Sequence, residues 1–446
     1  MPHSTLAALL LVSLGSTILL GADYSTDEYK RLAGEFEAHL QKHILKPWFP
    51  RAVDKERGGF IQDYAEDWSE KRDGNKTLVY QARLTWMAAQ VAISFPELAK
   101  EYAEYSNHGL DFLADKMWDK ENGGFLWSVT ADGKPTGERN NEKHVYGISF
   151  AMYAAATNYK ATKNPKAIEL AKQTFEWLEK HSYDGDTAGY TEALSVKGNK
   201  DFPYGTNNPK PPTFDLIGTA YGYKSMNTHI HLLESFTAYY EASPAAIAKS
   251  RLRALYNVVH DKICVVGALG EGAAMHLFFH SNWTPVPDAD SFGHDLETAY
   301  LLMEAADTLS IKKDPWNTAN ELVDHALSFG WDEKIGGFYN EGSMFRKAHD
   351  KEKIWWVQAE GLNALLLMYE HEQRISARDK YWKAFLKQWD FIQKYQIDAK
   401  NNGWISMVSE DGHAKPGPKS DQWKDPYHQG RAVINVIERL KKLAEK

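Results

Sequence analysis

The chain has little cysteine, no block of basic residues and few long apolar runs, and each scarcity excludes a class of protein. Its 446 residues include one cysteine, Cys264, so an intramolecular disulfide and a cysteine-based metal cluster are both excluded. Cys264 lies in the apolar run 263–266, which predicts a buried thiol acting as a small hydrophobic side chain. The net charge of −8 is spread along the sequence, which argues against nucleic acid as a partner.

The N-terminal region differs in composition from the rest of the chain. Residues 6–20 are apolar apart from two serines, a glycine and a threonine, and a polar stretch begins at Asp23. This pattern is typical of a secretory signal peptide, although residues 1–5 contain no lysine or arginine. We expect residues 1–22 to be a signal peptide and the protein to be periplasmic or secreted rather than cytoplasmic. A retained N-terminal anchor is the alternative, and no other stretch is apolar enough to span a bilayer.

A turn signature with an acidic start and a glycine-aromatic end recurs along the chain. It reads Asp-Lys-Glu-Arg-Gly-Gly-Phe at its first occurrence, and similar or degraded copies follow: 54–60, 119–125, 186–190, 332–338 and 402–404. The intervals are roughly 65 to 78 residues, longer than most solenoid periods. The widest gap, near 266–268, lies where a sixth copy is expected. The spacing therefore predicts a six-fold repeat.

Two kinds of helical segment alternate between these turns. Six are apolar over most of their faces and are predicted to be inner helices: 78–93, 149–159, 228–240, 296–306, 357–371 and 432–443. Six are amphipathic and rich in charge and are predicted to be outer helices: 26–45, 97–116, 165–179, 244–261, 316–329 and 379–395. This alternation predicts an all-α fold, an (α/α)6 barrel of six helical hairpins with short β-hairpin turns at one end. We expect residues 23–446 to form one catalytic domain, with 197–223 as a lid or binding loop.

Polar and aromatic residues stand near the start of every predicted inner helix. They are Tyr80, Arg83, His144, Tyr146, Asn227, His229, His231, His294, Glu297, Trp355, Trp356, Glu360, Trp423, Tyr427, His428 and Arg431. Taken singly, each has an ordinary explanation: a histidine caps a helix, a tryptophan fills a core, and a glutamate complements the helix dipole. Separate explanations do not account for equivalent positions in consecutive repeats. The register predicts one shared pocket at the mouth of the barrel.

The residue types in this pocket suit proton transfer next to a carbonyl group without a cofactor. Two opposed imidazoles can each take or give a proton near neutral pH. Glu297, one turn from His294, would fix the tautomer of that histidine and raise its basicity. Arg83 and a third histidine could stabilise negative charge on an oxygen. Glycoside hydrolysis would instead need paired carboxylates, which Glu297 and Glu360 could form. No spacing matches a zinc motif, so no metal is expected.

Six short motifs are distributed along nearly the whole chain after the predicted leader: 80–83, 144–147, 226–234, 293–297, 355–360 and 423–428. In these stretches, which include Gly-His-Asp-Leu-Glu and Trp-Lys-Asp-Pro-Tyr-His, the chain resembles the cellobiose 2-epimerases of the N-acylglucosamine 2-epimerase superfamily. The resemblance implies cofactor-free epimerisation at C2 of the reducing-end sugar of a disaccharide such as cellobiose or lactose. The implied route is ring opening followed by an enediolate intermediate.

The resemblance also implies roles for individual residues. His294 and His428 would be the acid/base pair, while His231 and Arg83 would hold the open-chain oxygens and stabilise the enediolate. Glu297 and Glu360 would position neighbouring groups, with Glu297 nearest His294. The implied substrate-binding residues are Tyr146, Asn227, Trp355, Glu360 and Trp423, of which the two tryptophans would stack on the sugars. The expected partner is a small reducing disaccharide, and a monomer is expected.

Alternative functions remain open at this point. An aldose–ketose isomerase shares the enediolate and differs in returning the proton to C1. An N-acylglucosamine 2-epimerase is a second possibility, which the Asn227–His231 pairing disfavours. A glycoside hydrolase on the same barrel and a catalytically silent sugar-binding protein belong to other classes. Binding alone has no need of matched bases, and this disfavours the silent protein.

Overall fold

The computed structural model describes residues 24–200, 213–266, 273–287, 289–312, 315–344 and 346–446. The predicted signal peptide, part of the predicted lid (201–212) and part of the region expected to hold the sixth turn (267–272) lie outside the described residues. Within the described ranges, no helix combines the length and the apolar character needed to cross a membrane.

Helices make up most of the described chain. They are α1 (Thr26–His39), α2 (Lys46–Trp48), α3 (Leu78–Ser94), α4 (Ala99–Phe112), α5 (Val145–Thr162), α6 (Pro165–His181), α7 (Met226–Ala242), α8 (Ala246–Val258), α9 (Phe292–Leu309), α10 (Pro315–Phe329), α11 (Trp355–His371), α12 (Ile375–Phe391) and α13 (Tyr427–Ala444). Four outer helices, α1, α4, α8 and α12, continue into a π-helical turn: Leu40–Leu45, Leu113–Met117, Val259–Ile263 and Ile392–Gln396. Apart from the one-turn α2, these are the twelve helices that the alternation predicts.

The helices form two concentric rings. Each of α3, α5, α7, α9, α11 and α13 packs against the next, and α13 packs against α3, so the inner ring is closed. Each outer helix covers one inner helix, and α1 covers α13. Inner helices are buried on all sides over much of their length, as Val145 through Asn158 of α5 illustrate, whereas outer helices bury one face. This arrangement is the predicted (α/α)6 barrel.

Short antiparallel strands join the connections at one end of the barrel. Five strand pairs link successive repeats: Lys76–Thr77 with Ser128–Val129, Lys143–His144 with Ala193–Leu194, Tyr223–Ser225 with Phe278–His280, Asp290–Ser291 with Glu341–Ser343, and Lys353–Ile354 with Met407–Val408. Local pairs are Cys264–Val266 with Ala273–Met275, Phe278–His280 with Pro285–Val286, Glu341–Ser343 with Arg346–Asp350, and Met407–Val408 with Ala414–Lys415. A bridge between Tyr64 and Ser420 closes the circle. The strands therefore tie the repeats together as well as forming the predicted hairpins.

A buried lysine fixes the acidic residue of the repeated turn. Lys76, two residues before α3, donates from Nζ to Asp54 Oδ2 at 2.8 Å and to the Gly58 carbonyl at 2.6 Å. The same contact recurs in three other repeats, at 2.8, 2.8 and 2.6 Å: Lys143 with Asp119, Lys224 with Asp184, and Lys353 with Asp332. Because each lysine lies two residues before an inner helix, the turns fix where the helices begin.

A side chain from the first turn of the inner helix holds the aromatic residue of the turn. The Phe60 N–H donates to Gln81 Oε1 at 2.7 Å, and Gln81 Nε2 donates to the Phe60 carbonyl at 2.8 Å. Gln358 makes the same two bonds with Phe338, at 2.8 and 2.7 Å. Gly59 has φ +66°, and a Cβ there would lie 2.5 Å from Gln81 Oε1. Glycine is required at this position because both the backbone conformation and the space exclude a side chain.

Candidate active site

The candidate site is built from equivalent positions of the inner helices. The second residue of a helix supplies Tyr146, Asn227, Trp356 and His428, and the sixth residue supplies Arg83, His231, Glu297 and Glu360. Residues four apart lie on the same helix face. In this ring, that face is directed toward the barrel axis at the mouth. The register thus brings side chains from all six repeats together, as the sequence pattern predicts.

A cavity of about 510 Å³ opens at this mouth. It is lined by Arg83, Tyr146, Ile217, Asn227, His231, His294, Glu297, Asn340, Glu341, Trp355, Trp356, Trp423 and His428. Nine of the ten predicted site residues are in this lining, and Glu360 is the exception. Ile217, Asn340 and Glu341 come from the connections, and Trp356 adds a further aromatic ring.

His428 is oriented by Glu360. Its Nδ1 lies 2.7 Å from Glu360 Oε1. A carboxylate accepts, so Nδ1 carries the hydrogen and Nε2 remains for the cavity. Burial lowers the pKa of His428 well below its ordinary value, and burial raises the pKa of Glu360. The prediction that Glu360 contacts substrate is corrected: this carboxylate lies behind His428, one helical turn deeper than the residues at the rim.

His231 has the same kind of support from its own helix. Its Nδ1 lies 3.1 Å from Glu234 Oε2, one turn further along α7. Burial alone would raise the pKa of Glu234, but Arg431 and His231 hold it at about 2. The carboxylate therefore stays ionised and accepts the Nδ1 hydrogen. His231 Nε2 is 4.0 Å from Glu297 Oε2 at the floor of the cavity.

His294 is held by a hydroxyl rather than a carboxylate. Its Nδ1 lies 2.8 Å from Ser291 Oγ, and its ring centroid is 4.7 Å from that of Trp356. The expected role of Glu297 in fixing this tautomer is therefore corrected, because the Glu297 carboxylate is bound by Arg431 instead. Burial lowers the pKa of His294 to about 4, although the nearby charge of Glu297 opposes the shift. The imidazole is neutral at physiological pH.

Arg431 joins the acidic groups beneath the cavity. Its Nη2 donates to Glu297 Oε1 at 2.5 Å and to Glu360 Oε1 at 2.7 Å, and its Nη1 donates to Glu234 Oε1. The sequence pattern places Arg431 near the mouth but does not predict this role. The signal for it is an arginine directly before the apolar run 432–434, since a buried guanidinium needs partners.

Arg83 supplies the permanent positive charge of the cavity wall. Its Nη2 donates to the Tyr146 hydroxyl at 3.1 Å, and its Nη1 lies 3.4 Å from Asp425 Oδ2. The guanidinium carbon lies 4.3 Å from the centroid of the Phe150 ring. Burial raises the pKa of Asp425 to about 6, against the opposing effect of Arg83. A buried, always-charged guanidinium can stabilise an oxyanion formed in the cavity.

Three other polar residues from the mouth pattern hold the surrounding connections instead. His229 is the fourth residue of α7, and its Nε2 accepts the Tyr190 N–H at 3.1 Å, the position that Gln81 and Gln358 occupy in their helices. His144 Nε2 lies 2.9 Å from Asp215 Oδ2. The Tyr80 hydroxyl donates to the Ile61 carbonyl at 3.1 Å. None of these three lines the cavity.

Potential metal-ligand atoms also come together at the site. Those of Glu297, Glu360 and His428 lie within 4.8 Å of one another. However, Arg431 Nη2 binds both carboxylates, and the remaining Glu360 contact orients His428. The guanidinium supplies the positive charge that a cation would otherwise bring. Two further groups, Asp290–Asp295–His325 and His144–Glu192–Asp215, lie outside the cavity lining.

Known proteins share this chain's sequence pattern and fold. The model of the N-acylglucosamine 2-epimerase family matches residues 58–432. A cellobiose 2-epimerase of Dictyoglomus turgidum is 30% identical over 421 residues, which cover 93% of this chain and 100% of the relative. A D-mannose isomerase of Marinomonas mediterranea is 25% identical over 427 residues, covering 91% and 96%. The solved structure of cellobiose 2-epimerase from Bacillus thermoamylovorans B4167 is 25% identical, with a TM-score of 0.81 and coverage of 92% and 100%. The chain belongs to the N-acylglucosamine 2-epimerase family and is a carbohydrate epimerase or isomerase.

Proposed function

We propose that this enzyme epimerises C2 of the reducing-end sugar of a disaccharide of the cellobiose or lactose type. The observation that carries the proposal is the pair His294 and His428. Each has its Nδ1 bonded to a neighbouring side chain, which leaves Nε2 for the cavity. Two neutral imidazoles on different inner helices suit the exchange of a proton at two faces of one carbon.

The reaction requires an open-chain aldose, whose C1 carbonyl makes the C2 hydrogen acidic. One imidazole Nε2 takes the C2 proton; the electron pair of the C2–H bond forms a C1–C2 double bond, and the carbonyl π pair moves to O1. Arg83 would stabilise the resulting enediolate oxygen, and His231, whose Nε2 can accept a hydrogen, would hold a hydroxyl group of the open chain. The first imidazole releases its proton to solvent, and the other, neutral in the resting enzyme, takes up a solvent proton and delivers it to the opposite face of C2. The C1 carbonyl then re-forms and the ring closes.

The cavity has the size and polarity for a small sugar. Its volume of about 510 Å³ lies within the range of small-molecule sites. Trp355, Trp356 and Trp423 offer flat faces for sugar rings. Four buried polar atoms of the lining residues, Arg83 Nε, Trp355 Nε1, Asn227 Oδ1 and Glu297 Oε2, have no hydrogen-bond partner among the described residues. Ligand hydroxyls could satisfy these atoms, which supports a polyhydroxylated substrate.

The carboxylates do not suit glycoside hydrolysis. A hydrolase needs two carboxyl groups that flank the scissile bond. Glu297 lines the cavity, but Glu360 lies behind His428 and is bonded to both His428 and Arg431. Of the pair expected to serve a hydrolase, only Glu297 faces the cavity, and the other carboxylate of the lining, Glu341, is exposed on a connecting strand. Glycoside hydrolysis would also leave His294 and His428 without a role.

Aldose–ketose isomerisation is the second candidate, because the D-mannose isomerase of Marinomonas mediterranea is a relative over 91% of the chain. Isomerisation shares the enediolate and returns the proton to C1, so the same residues would serve it. A product panel distinguishes the two. The purified protein is incubated with cellobiose, lactose, mannobiose and mannose, and the products are identified by chromatography against standards.

The proposal predicts disaccharides with mannose in place of glucose at the reducing end, or the reverse. A ketose as the main product would mean that the enzyme is an isomerase and not an epimerase. Free monosaccharides released from the disaccharides would contradict both enediolate reactions. The variant His428→Gln, incubated in parallel, controls for contaminating activities. Products made at the site should be absent from its incubation, whereas products of a contaminant should remain.

A further inference from the structure

A single guanidinium connects the acidic groups of three inner helices. Arg431 of α13 is 1% exposed and bonds to Glu234 of α7, Glu297 of α9 and Glu360 of α11. Its Nη1 also donates to the hydroxyl of Tyr427. The donors of a guanidinium lie in one rigid plane, so this one group fixes the relative positions of the carboxylates. A lysine, with a single charged nitrogen, cannot hold the same arrangement.

Two of these carboxylates each hold a histidine of the cavity. Glu360 Oε1 lies 2.7 Å from His428 Nδ1, and Glu234 Oε2 lies 3.1 Å from His231 Nδ1. As long as both carboxylates are ionised they only accept, so the imidazole hydrogen must stay on Nδ1. Nε2 then faces the cavity without a hydrogen.

Without the guanidinium, this arrangement would not persist. Three buried carboxylates would repel one another, and at least one would take up a proton. A protonated Glu360 would donate its O–H hydrogen to His428 Nδ1. The imidazole hydrogen would then move to Nε2, where it would block this nitrogen as a base.

We propose that Arg431 is a positioning residue, which acts through Glu234 and Glu360 to keep His231 and His428 in the tautomer that presents a bare Nε2 to the sugar. Its importance for turnover rests on the proposed function, but the tautomer is a property of the free protein. The inference can therefore be tested whether or not the sugar substrate has been identified.

The direct test is nitrogen-15 NMR of the imidazoles in histidine-labelled protein at pH 8, with His428→Gln and His231→Gln used for assignment. In the wild type, we expect both residues to show a protonated Nδ1 and an unprotonated Nε2. In Arg431→Met, we expect the His428 signals to shift to the Nε2–H pattern. Wild-type tautomers in Arg431→Met would overturn the inference.

Arg439→Met is the matched control, since Arg439 lies two turns further along α13 and bonds to Glu370 at 2.7 Å. Glu370 keeps a second cationic partner, Lys442, at 3.2 Å. This variant should leave both tautomers and turnover unchanged. A tautomer shift in Arg439→Met equal to that in Arg431→Met would also overturn the inference, because it would trace the shift to any lost arginine of this helix.

Steady-state kinetics on the sugar that the wild type turns over fastest gives the second readout. Arg431→Met should lower kcat about 100- to 1,000-fold, with KM changed less than about 3-fold, because the substrate-contacting groups remain. If circular dichroism shows that Arg431→Met does not fold, Arg431→Lys replaces it. Wild-type kcat together with wild-type tautomers in the lysine variant would overturn the inference. A wild type inactive on every sugar would refute the proposed function, and the NMR result would still decide this one.

Discussion

The two candidate bases differ in what holds them. His428 is bonded through Nδ1 to a carboxylate, whereas His294 is bonded through Nδ1 to the Ser291 hydroxyl. A carboxylate only accepts, which fixes the hydrogen of His428 on Nδ1, whereas a hydroxyl can donate or accept and does not fix the tautomer of His294.

Replacing either histidine should remove one of the two proton-transfer steps. We expect His428→Gln and His294→Gln each to lower kcat by roughly 100- to 10,000-fold, the usual contribution of a positioned acid or base. Initial rates on the preferred disaccharide measure this effect. His413→Gln is the control, since that side chain is 81% exposed. Wild-type turnover in either cavity variant would contradict the two-histidine mechanism.

The pH dependence should follow from the lowered histidine pKa values. Burial lowers the pKa of His294 to about 4 and that of His428 well below 6.5. A lowered pKa keeps the imidazole in its base form at neutral pH, and the base form is lost only as the pH falls through the lowered value. We therefore expect kcat/KM to keep its neutral value below pH 6.5 and to fall toward pH 4. An acid limb centred at or above pH 6.5 would be inconsistent with these buried bases.

Trp423 is predicted to contribute binding through its flat face. Trp423→Ala should raise KM about 10-fold with little change in kcat, because stacking holds the ground state and the transition state alike. Trp423→Phe keeps an aromatic face and should show a smaller increase in KM. Kinetics of both variants measure the difference. A loss confined to kcat would instead mean that Trp423 positions the reacting carbon.

Each inner helix is fixed at its mouth end by contacts that the turn signature provides. Gln81 and Gln358 accept the N–H of the turn aromatic and donate to its carbonyl, and His229 makes the first of these two bonds with Tyr190. A histidine and a glutamine are interchangeable here because both present an acceptor at a similar distance from the backbone. Helix α7 therefore carries a structural histidine, His229, and, two residues later, the catalytic candidate His231.

This equivalence predicts opposite outcomes for two substitutions. His229→Gln should leave the free energy of unfolding at pH 7 nearly unchanged. His229→Leu should lower it by about 1–3 kcal/mol, because the buried Tyr190 N–H loses its acceptor. Chemical denaturation of the two variants and the wild type makes the comparison. Equal losses in both variants would contradict the proposed equivalence.

The free energy of unfolding should depend on the same histidine, His229, in acid. Burial lowers the pKa of His229 to about 3, so the unfolded chain binds a proton at pH 5 and the folded chain does not. The wild type therefore loses stability as the pH falls below 6.5, and His229→Gln does not suffer this loss. The difference should favour the glutamine variant by about 2 kcal/mol at pH 5 relative to pH 7. No change in the difference between the two pH values would argue against a neutral buried His229.

The helices were predictable from sequence, but their starts were less so. The apolar periodicity predicts inner helices from 149, 228 and 432, whereas α5, α7 and α13 begin at Val145, Met226 and Tyr427. The first turns carry the polar residues of the site, such as Asn227 and His428, and these interrupt the apolar pattern. Strand pairs between repeats were not predictable, because their partners are far apart in sequence and too short to have a pattern of their own.

At the scale of the whole molecule, the barrel is closed by the two ends of its described chain. α1 covers α13, and Tyr64 bridges to Ser420. This closure brings α13, with His428 and Arg431, beside α3 and α11. Residues as distant in sequence as Arg83 and Asp425 thereby form a buried ion pair beside the cavity.

Because the ring closes through contacts between distant segments, only part of the site could be predicted from the sequence. The repeat register was sufficient to predict nine lining residues, since each lies near the start of an inner helix. It could not predict Asn340 and Glu341, which reach the cavity through a strand pair between repeats. Nor could it predict that Arg431 binds carboxylates from three helices, because that depends on the closed ring.

The most direct test of the enediolate mechanism is proton and deuterium NMR of cellobiose or lactose incubated with the wild type in heavy water. The imidazole that removes the C2 proton releases it to solvent, and the other imidazole delivers a deuteron taken from the heavy water. The account predicts a C2-epimeric product that carries deuterium at C2 and at no other carbon, and no product with His428→Gln. An epimer that retains hydrogen at C2 would contradict the enediolate mechanism, and deuterium found only at C1 of a ketose would contradict epimerisation.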